Sequence, residues 1–221
     1  MKCCLAPRIA FAMALGMAVM LSSVPGRSLR LSPPCEQLGG LTPGVSSLHD
    51  AEHLFGKYDI AMPGDVAQYA GGTEVTKAFR WAAGMTLSGP TIVVETTLGS
   101  RTIAAIMVNN YPGVATSRNL MAFTPENRAI ELYGQPDYAF QFRMPDGGSY
   151  REILYLDKGI LLVLNQVAGR PNWQVTKLIL TFPQYLNNAV ALRMRDARLG
   201  GSVEDITYAY RVWTRLALPP E

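Results

Sequence analysis

One short segment of this chain occurs twice, first at residues 46–59 and again at residues 124–137. The two copies are SSLHDAEHLFGKYD and TPENRAIELYGQPD. Alanine, leucine, glycine and aspartate coincide at the same positions of both copies, and the aromatic Phe55 is matched by Tyr133. In each copy the apolar residues recur at helical spacing and a glycine follows them, which predicts a short amphipathic helix that ends at that glycine. The chain is therefore expected to contain two copies of one structural unit.

The two predicted helices begin with different capping signals. Ser46 or Ser47 is the expected N-cap of the first helix, and Asp50 lies in its first turn, where a carboxylate meets exposed backbone amides. In the second copy Thr124 is the expected N-cap and Pro125 the first helical residue. The residues expected on the buried faces are Leu48, Ala51, Leu54 and Phe55 in the first helix, and Ala129, Ile130, Leu132 and Tyr133 in the second.

Three segments with the composition of β-strands follow each predicted helix. A meander of three antiparallel strands has one apolar face, on which an amphipathic helix packs. The sequence therefore predicts an α+β fold of two tandem helix–strand–strand–strand units, each with two layers. Whether the units lie side by side or share a sheet stays open. The predicted strands are 76–82, 91–98 and 102–108 in the first unit, and 150–156, 160–166 and 173–182 in the second.

The N-terminus has the pattern of a secretory signal. Lys2 and Arg8 make it positive, residues 9–21 are apolar apart from one glycine, and small residues follow at 24–26. An apolar run of that length is too short for a transmembrane helix, which needs about 20 residues. We therefore predict a secreted or periplasmic protein without an integral membrane segment after cleavage. The predicted boundaries are 1–26 for the signal peptide, 27–40 for an extended lead-in, 41–110 and 111–182 for the two α+β units, and 183–221 for a C-terminal extension.

The C-terminal extension carries conflicting signals. Residues 186–199 have helical periodicity. Residues 202–205 resemble a capping box before a helix, whereas residues 206–213 are rich in strand-forming side chains. We predict a helix after residue 202 and leave the structure of the extension otherwise open.

Charge and cysteine content narrow the classes of partner. Cleavage after residue 26 removes two of the 20 basic residues and none of the 17 acidic ones, so the mature chain is close to neutral. A neutral chain gives no reason to expect a nucleic acid or an anionic membrane as partner. Of the three cysteines only Cys35 remains after cleavage, so an internal disulfide is impossible and the role of Cys35 stays open.

Both histidines of the chain lie in one motif that suggests metal chemistry. His49, Glu52 and His53 match His-x-x-Glu-His, in which two histidines on one helical face bind zinc and the glutamate activates a metal-bound water. Glu126 is the candidate third ligand. However, helical geometry places the histidines on the polar side, and the second copy has Asn127 and another polar residue at the equivalent positions. We therefore predict no metal and no catalytic residue. The alternative is a zinc-dependent hydrolase that uses Glu52, with His49, His53 and Glu126 as ligands.

Other motifs typical of enzymes do not occur in the sequence. It contains neither a Gly-x-Ser-x-Gly elbow nor a phosphate-binding Gly-x-x-x-x-Gly-Lys loop. Glu95 and Asp137 are acidic residues in or beside predicted elements, but nothing in the sequence pairs them. We predict that the chain is not an enzyme and holds no cofactor. Trp81, Trp173 and Trp213 lie in strand-like segments, where they either pack in the core or form anchors for another protein.

The order of a helix, a glycine stop and a meander, given twice, resembles two groups of small secreted bacterial modules. These are the tandem units of the β-lactamase inhibitor protein and the single unit of the small outer-membrane lipoproteins of the barrel assembly machinery. The residues that carry the resemblance are TPGVSS at 42–47, the helix to Phe55-Gly56, and the copy from Thr124 to Gly134. The resemblance implies a non-catalytic module that binds another envelope or secreted protein through a concave sheet or the surface between the units.

Overall fold

Short helices alternate with β-strands along the chain, and the strands join one antiparallel sheet. The computed structural model describes residues 31–82, 89–166 and 172–211, which belong to one compact unit. The predicted signal peptide lies outside these residues. The helices are α1 (Leu48–Phe55), α2 (Val66–Tyr69), α3 (Glu126–Tyr133) and α4 (Pro183–Arg198); the strands are β1 (Ile60–Pro63), β2 (Thr76–Ala82), β3 (Thr91–Thr97), β4 (Ile103–Asn109), β5 (Tyr138–Arg143), β6 (Ser149–Tyr155), β7 (Ile160–Gln166), β8 (Trp173–Thr181) and β9 (Val203–Asp205).

The sheet contains nine strands among the described residues, in the order β1-β2-β3-β4-β8-β7-β6-β5-β9. Every neighbouring pair is antiparallel. The strands that follow α1 form one half of the sheet and those that follow α3 form the other half. The two halves meet where β4 pairs with β8.

Apolar residues occupy consecutive positions in the central strands. The first six residues of β3 and the first five of β7 are all buried. This pattern is typical of strands that are covered on both faces. Helices α1 and α3 pack on one face of the sheet, and α2 and α4 pack on the other. The predicted two-layer arrangement, with one face in water, is therefore wrong, because helices cover both faces.

The predicted α+β class is confirmed, but the two tandem helix–strand–strand–strand units are not. All six predicted strands are present as β2, β3, β4, β6, β7 and β8. A further strand, β1 or β5, lies between each helix and its predicted meander, and all strands share one sheet. The four residues of β1 are all exposed, so no buried position in the sequence marked this strand.

The pairing of β4 with β8 is symmetric about one pair of residues. Met107 lies opposite Ile179, Ala105 lies opposite Thr181, and the pairing continues equally far on the other side. The register also shifts once in each half, between β3 and β4 in the first half and between β7 and β8 in the second. The two halves therefore have the same order of strands and the same place of the register shift, each counted outward from the β4–β8 pair.

The ends of α1 and α3 repeat the same backbone geometry. Gly56 has φ 80° and ψ −170°, and Gly134 has φ 79° and ψ −164°. Positive φ favours glycine, which explains why both copies have this residue. Three residues later, the carboxylates of Asp59 and Asp137 each accept a backbone N–H at 2.8 and 2.7 Å from the end of the neighbouring strand. The two coinciding residue types in the sequence repeat thus make equivalent contacts.

The start of α1 was predicted correctly, whereas that of α3 was not. Ser47 is the N-cap of α1 and forms a capping box with Asp50. Helix α3 begins at Glu126, and Pro125 is its N-cap. The hydroxyl of Thr124 accepts a backbone N–H from Met121 at 3.2 Å instead of capping the helix. The turn before α3 thus uses the hydroxyl that the sequence assigned to the cap.

The buried face of α1 is narrower than predicted. Ala51 is fully buried, and Leu48 and Phe55 are half-buried against the core. Leu54 is 51% exposed, so its assignment to the buried face is wrong. In α3, the predicted Ala129, Ile130 and Tyr133 are buried and Leu132 is half-buried.

The C-terminal extension begins with the predicted helix and then adds a strand. Helix α4 spans Pro183–Arg198. Residues 203–205 form β9 on the outer edge of β5, because pairing with that edge outweighs the capping-box pattern. Residues 207–211 are helical, and the carboxylate of Asp205 accepts the backbone N–H of Thr207 at 3.0 Å. A helix therefore does follow residue 202, but only after a strand. The described helices are all too short or too polar to cross a membrane.

A buried carboxylate ties the N-terminal segment to α3. Glu36 is 3% exposed and accepts hydrogen bonds from the backbone N–H of Ser117 at 3.1 Å and from the hydroxyl of Tyr133 at 2.8 Å. The hydroxyl of Ser117 and the backbone N–H of Gln37 also donate to it. Burial alone raises the pKa of Glu36, but these hydrogen bonds outweigh it and hold the pKa below its usual 4.5.

The depressed pKa of Glu36 predicts an acid-sensitive contribution to stability. A carboxyl with a lower pKa in the folded state stabilises the fold above its unfolded pKa, and this contribution is lost as pH falls through the folded pKa. We expect Glu36→Gln to lower the free energy of unfolding by about 1–2 kcal/mol at pH 7 and by less at pH 3. Urea unfolding between pH 7 and pH 3 measures this difference, with the exposed Glu131→Gln as control. A constant difference between wild type and Glu36→Gln across that range would contradict the prediction.

Candidate binding cleft

A cleft of about 580 Å³ lies between α3, the adjoining ends of β6 and β8, and the helical segment 207–211. Helix α3 forms one wall because its first and fifth residues face the sheet. The segment 207–211 forms the opposite wall, since β9 carries the chain back along the edge of the sheet. The residues that line the cleft are Glu126, Asn127, Ile130, Arg151, Asn172, Trp173, Ile206, Ala209 and Tyr210.

Arg151 lies in this cleft and is fixed by three neighbours. Its Nη1 donates to both carboxylate oxygens of Glu126, at 3.0 and 3.1 Å, and its Nε donates to the side-chain oxygen of Gln141 at 3.2 Å. Its guanidinium carbon lies 4.3 Å from the centre of the Trp173 ring. A guanidinium that is paired with a carboxylate and stacked on an indole presents a flat, rigid surface. This part of the cleft is therefore formed before any ligand binds.

Tyr210 is a second hydrogen-bond donor to Glu126, beside Arg151. Its hydroxyl donates to a carboxylate oxygen of Glu126, and the tyrosine itself is 6% exposed. Burial and then the charge of Glu126 raise the pKa of Tyr210 well above its usual value. Tyr210 thus stays a neutral hydrogen-bond donor at any physiological pH. Since Glu126 accepts bonds from both Arg151 and Tyr210, its carboxylate is engaged in structure and not positioned as a general base.

The rest of the cleft combines apolar side chains with amides. Ile130, Ile206 and Ala209 supply the apolar surface, and Asn127 and Asn172 supply amide donors and acceptors. Apolar floors with a few polar groups are typical of sites that recognise ligands or segments of other proteins.

A second cleft, of about 370 Å³, lies at the corresponding place in the first half of the sheet. Its helical residues are the first, second and fifth of α1, as those of the larger cleft are the first, second and fifth of α3. Its lining residues are Leu48, His49, Glu52, Tyr58, Lys77, Phe79, Thr96, Leu98, Gly99, Ser100 and Arg101. We call the larger cleft the α3 cleft and this one the α1 cleft.

The strand residues of the two clefts also correspond. Lys77 lies opposite Thr96 on β3, and Arg151 lies opposite Leu164 on β7. Thr96 and Leu164 are each the first residue after the register shift of their half. Arg101 precedes Thr102, which forms an isolated β-bridge with the N-cap of α1. Trp173 precedes Gln174, which forms the same kind of bridge with the N-cap of α3. The two clefts thus lie at corresponding places in the two halves of the sheet and are built from different side chains.

The structure separates the residues of the candidate zinc motif. His49 and His53 are exposed on α1, and Glu52 is half-buried. His49 and Glu52 line the α1 cleft, whereas Glu126 is bound to Arg151 in the α3 cleft. Within the described ranges, no three His, Cys, Asp or Glu side chains come together in a way that could hold a metal ion. The structure therefore does not bring Glu126 to the histidine pair. Cys35 is exposed and unpaired in the part of the chain that the structure describes.

Three further carboxylates, those of Glu95, Glu152 and Asp137, make structural contacts, and the first two are buried. Glu95, noted in the sequence, is fully buried and binds the N-terminal amides of α2. Glu152, not singled out by the sequence, is fully buried and pairs with Arg193. Asp137, also noted, binds a backbone amide. None of these groups lines either of the two clefts.

Trp173 was one of the aromatic residues named from the sequence, and the structure places it in the α3 cleft. Arg151 and Tyr210 were missed as site residues. The sequence shows an arginine in a strand and a tyrosine in an ambiguous tail, and only the tertiary fold brings them to Glu126. Trp81 packs in the core, where its Nε1 donates to the backbone oxygen of Gly56 at 2.8 Å, and Trp213 lies outside the described residues.

No known protein family, curated protein or solved structure matches this chain. The resemblance to tandem secreted modules therefore stays a prediction.

Proposed function

We propose that this chain is a non-catalytic protein-interaction module that works in the periplasm or outside the cell, and that its partner docks in the α3 cleft. The observation that carries the proposal is the fixed arrangement of Arg151 between Glu126 and Trp173. The charges of Arg151 and Glu126 compensate each other within the protein. The cleft therefore presents a defined surface with an aromatic ring and side-chain amides, and no reactive group among its described lining residues.

The residue types in the α3 cleft support protein recognition. Arginine, tyrosine and tryptophan are the side chains that most often dominate the binding energy of protein interfaces. A site whose side chains are already ordered loses less conformational entropy on binding. Arg151 and Tyr210 are both tied to Glu126, so the partner would meet a surface that needs little rearrangement.

The arrangement of the two halves supports a more specific architecture. We propose that the chain contains two copies of a helix followed by four strands, related by a two-fold arrangement about Met107 and Ile179. Only the second copy receives the segment 207–211 as an additional wall. The C-terminal extension would thus have turned one of two equivalent clefts into the partner site.

The location outside the cytoplasm rests on the sequence of residues 1–26. Their positive start, apolar run and small residues are typical of a secretory signal. A partner in the same compartment, another envelope or secreted protein, is accordingly proposed.

Blocking the α3 cleft tests the proposed function. Asn127 is an exposed helical residue at the edge of the cleft, so Asn127→Arg fills the opening with a good helix former and leaves the core intact. We expect the mature chain to retain partners from an extract of its own organism. For Asn127→Arg we expect the retained amount of each partner to fall by at least about 90%, because a loss of about 1.4 kcal/mol of binding free energy weakens binding tenfold.

The matched control is Gln68→Arg, which makes the same change of charge on the exposed side of α2, on the opposite face of the sheet. Quantitative mass spectrometry compares the proteins retained by the three baits. Partners that are lost from Asn127→Arg but kept by Gln68→Arg support the proposal. Equal retention by all three baits would contradict it.

A further inference from the structure

The α1 cleft differs from the α3 cleft in charge, although the two lie at corresponding places in the two halves of the sheet. Where the α3 cleft has an arginine, its carboxylate partner and an indole ring, the α1 cleft has Lys77, Leu48 and Arg101. Leucine cannot neutralise the neighbouring cation, and the indole is replaced by a second cation. The compensation that fixes Arg151 is therefore missing from the first half.

Within the described part of the chain, neither cation of the α1 cleft, Lys77 or Arg101, forms a salt bridge with nitrogen and oxygen atoms within 4.0 Å. The ammonium of Lys77 lies 5.4 Å from the centre of the Phe79 ring, a contact that leaves its hydrogen-bond donors available. Glu52 supplies one negative charge to the same cleft. The formal charge of the cleft is thus positive, since Lys77 and Arg101 outnumber Glu52.

Hydroxyl groups lie beside the two cations. Ser100 and Thr96 line the cleft, and Ser100 accepts the backbone N–H of Thr102 at 3.0 Å, which leaves its own hydroxyl hydrogen free to donate. Arginine, lysine and hydroxyl groups on the wall of one cleft are the donors that typically bind oxyanions.

We propose that the α1 cleft is a binding site for an oxyanion, the group that phosphate esters and carboxylates share. Lys77 and Arg101 would supply the charge, and Ser100 an additional hydrogen bond. The proposal is independent of the partner site, because it concerns the other half of the sheet and a small ligand.

Titration with simple anions tests this proposal. The ¹⁵N–¹H spectrum of the mature chain is followed at low ionic strength during addition of inorganic phosphate, sodium acetate or sodium chloride. We expect a saturable change of the backbone amides of residues 98–101 with phosphate or acetate that is not reproduced by chloride at equal ionic strength. Phosphate alone would indicate a phosphate ester as ligand, and acetate alone a carboxylate.

Variants distinguish anion binding in the α1 cleft from nonspecific attraction of anions to surface charge. The double variant Lys77→Gln, Arg101→Gln is expected to weaken binding at least about tenfold, since two charge-assisted hydrogen bonds are lost. Glu52→Gln is expected to strengthen binding by about two- to fivefold, because it removes a like charge from the cleft. The exposed Arg128→Gln, on α3, serves as control and is expected to change nothing.

Three results would overturn the proposal. The first is the absence of any saturable change with phosphate and acetate. The second is equal affinity in the wild type and the Lys77→Gln, Arg101→Gln variant, whose folding the spectrum itself reports. The third is an equal effect of chloride, which would indicate ionic strength alone.

Discussion

Replacing Glu95 by alanine is expected to lower the free energy of unfolding by about 4 kcal/mol. This loss combines the cost of leaving buried hydrogen-bond donors unsatisfied with the cost of the cavity that the shorter side chain leaves. Glu95 is fully buried on β3 and binds the start of α2. One of its oxygens accepts the backbone N–H groups of Asp65 and Val66, both at 2.7 Å. The other accepts the backbone N–H of Ala67 at 2.9 Å and the hydroxyl of Thr76 at 2.8 Å.

The physical reason for this large effect is the shortness of α2. A helix of four residues leaves its first amides without partners in the helix, and a carboxylate from the sheet satisfies three of them at once. The neighbouring Gly64 shows how closely the groups pack, because a Cβ there would lie 2.8 Å from the Glu95 carboxylate and 2.2 Å from the Thr76 hydroxyl oxygen. Without the carboxylate, α2 would lose its main attachment to β3.

A graded series of variants tests this role. Glu95→Gln keeps one acceptor oxygen but turns an amide toward backbone donors, so about half of the effect is expected, and Thr76→Val should cost about 1 kcal/mol. Urea unfolding gives the stabilities. Hydrogen exchange shows whether the amides of residues 65–67 lose protection before the rest of the sheet. A loss below 1 kcal/mol for Glu95→Ala, or unchanged exchange at those amides, would contradict this account.

Arg193→Met is expected to lower the free energy of unfolding by about 3–5 kcal/mol, the usual cost of leaving a buried charge without its partner. The Nε and Nη2 of Arg193, on α4, donate to the two carboxylate oxygens of Glu152 at 2.8 and 3.3 Å. The Glu152 side chain is 0% exposed and the Arg193 side chain 12%. Tyr69 at the end of α2 donates its hydroxyl to Glu152 and accepts a bond from Arg193 at its backbone oxygen.

This network joins α2, α4 and β6, so the expected loss concerns the packing of two helices on one face of the sheet. Replacement of both charges by apolar groups removes the unpaired carboxylate, and we expect Glu152→Leu, Arg193→Met to be within about 2 kcal/mol of the wild type. The exposed Arg195→Met, whose partner is Asp196, is the control and should change stability by less than about 0.5 kcal/mol. If the double variant proves less stable than Arg193→Met, the carboxylate is not the source of the loss.

Local signals in the sequence were sufficient for the elements that depend on local chemistry. The capping box of Ser47 and Asp50 and the positive φ of Gly56 are local features of α1 and its ends, so their spacing in the sequence predicted this helix. The strands with several consecutive apolar residues were also predictable. By contrast, β1 has no buried residue, and β9 exists only because β5 offers it an edge.

The contacts that build the clefts were beyond sequence reasoning for a physical reason. Arg151 is one of several arginines in the chain, and nothing around it in sequence distinguishes it. Its partner Glu126 had an adequate local explanation as an acidic residue in the first turn of a helix. Tyr210 belongs to a segment that is rich in strand-forming side chains but follows a capping-box pattern, so its local signals conflict. Only the sheet pairing, in which β5 lies between β6 and β9, brings these three side chains together.

Site-specific photo-crosslinking tests the central claim, that the α3 cleft receives a protein partner, most directly. A photoreactive phenylalanine analogue in place of Asn127 lies at the α3 cleft. The same analogue in place of His49 occupies the corresponding helical position at the α1 cleft. After irradiation of cells that produce the protein, we expect a specific protein adduct from position 127 and none from position 49. Identical adducts from both positions, or no protein adduct from position 127, would contradict the claim.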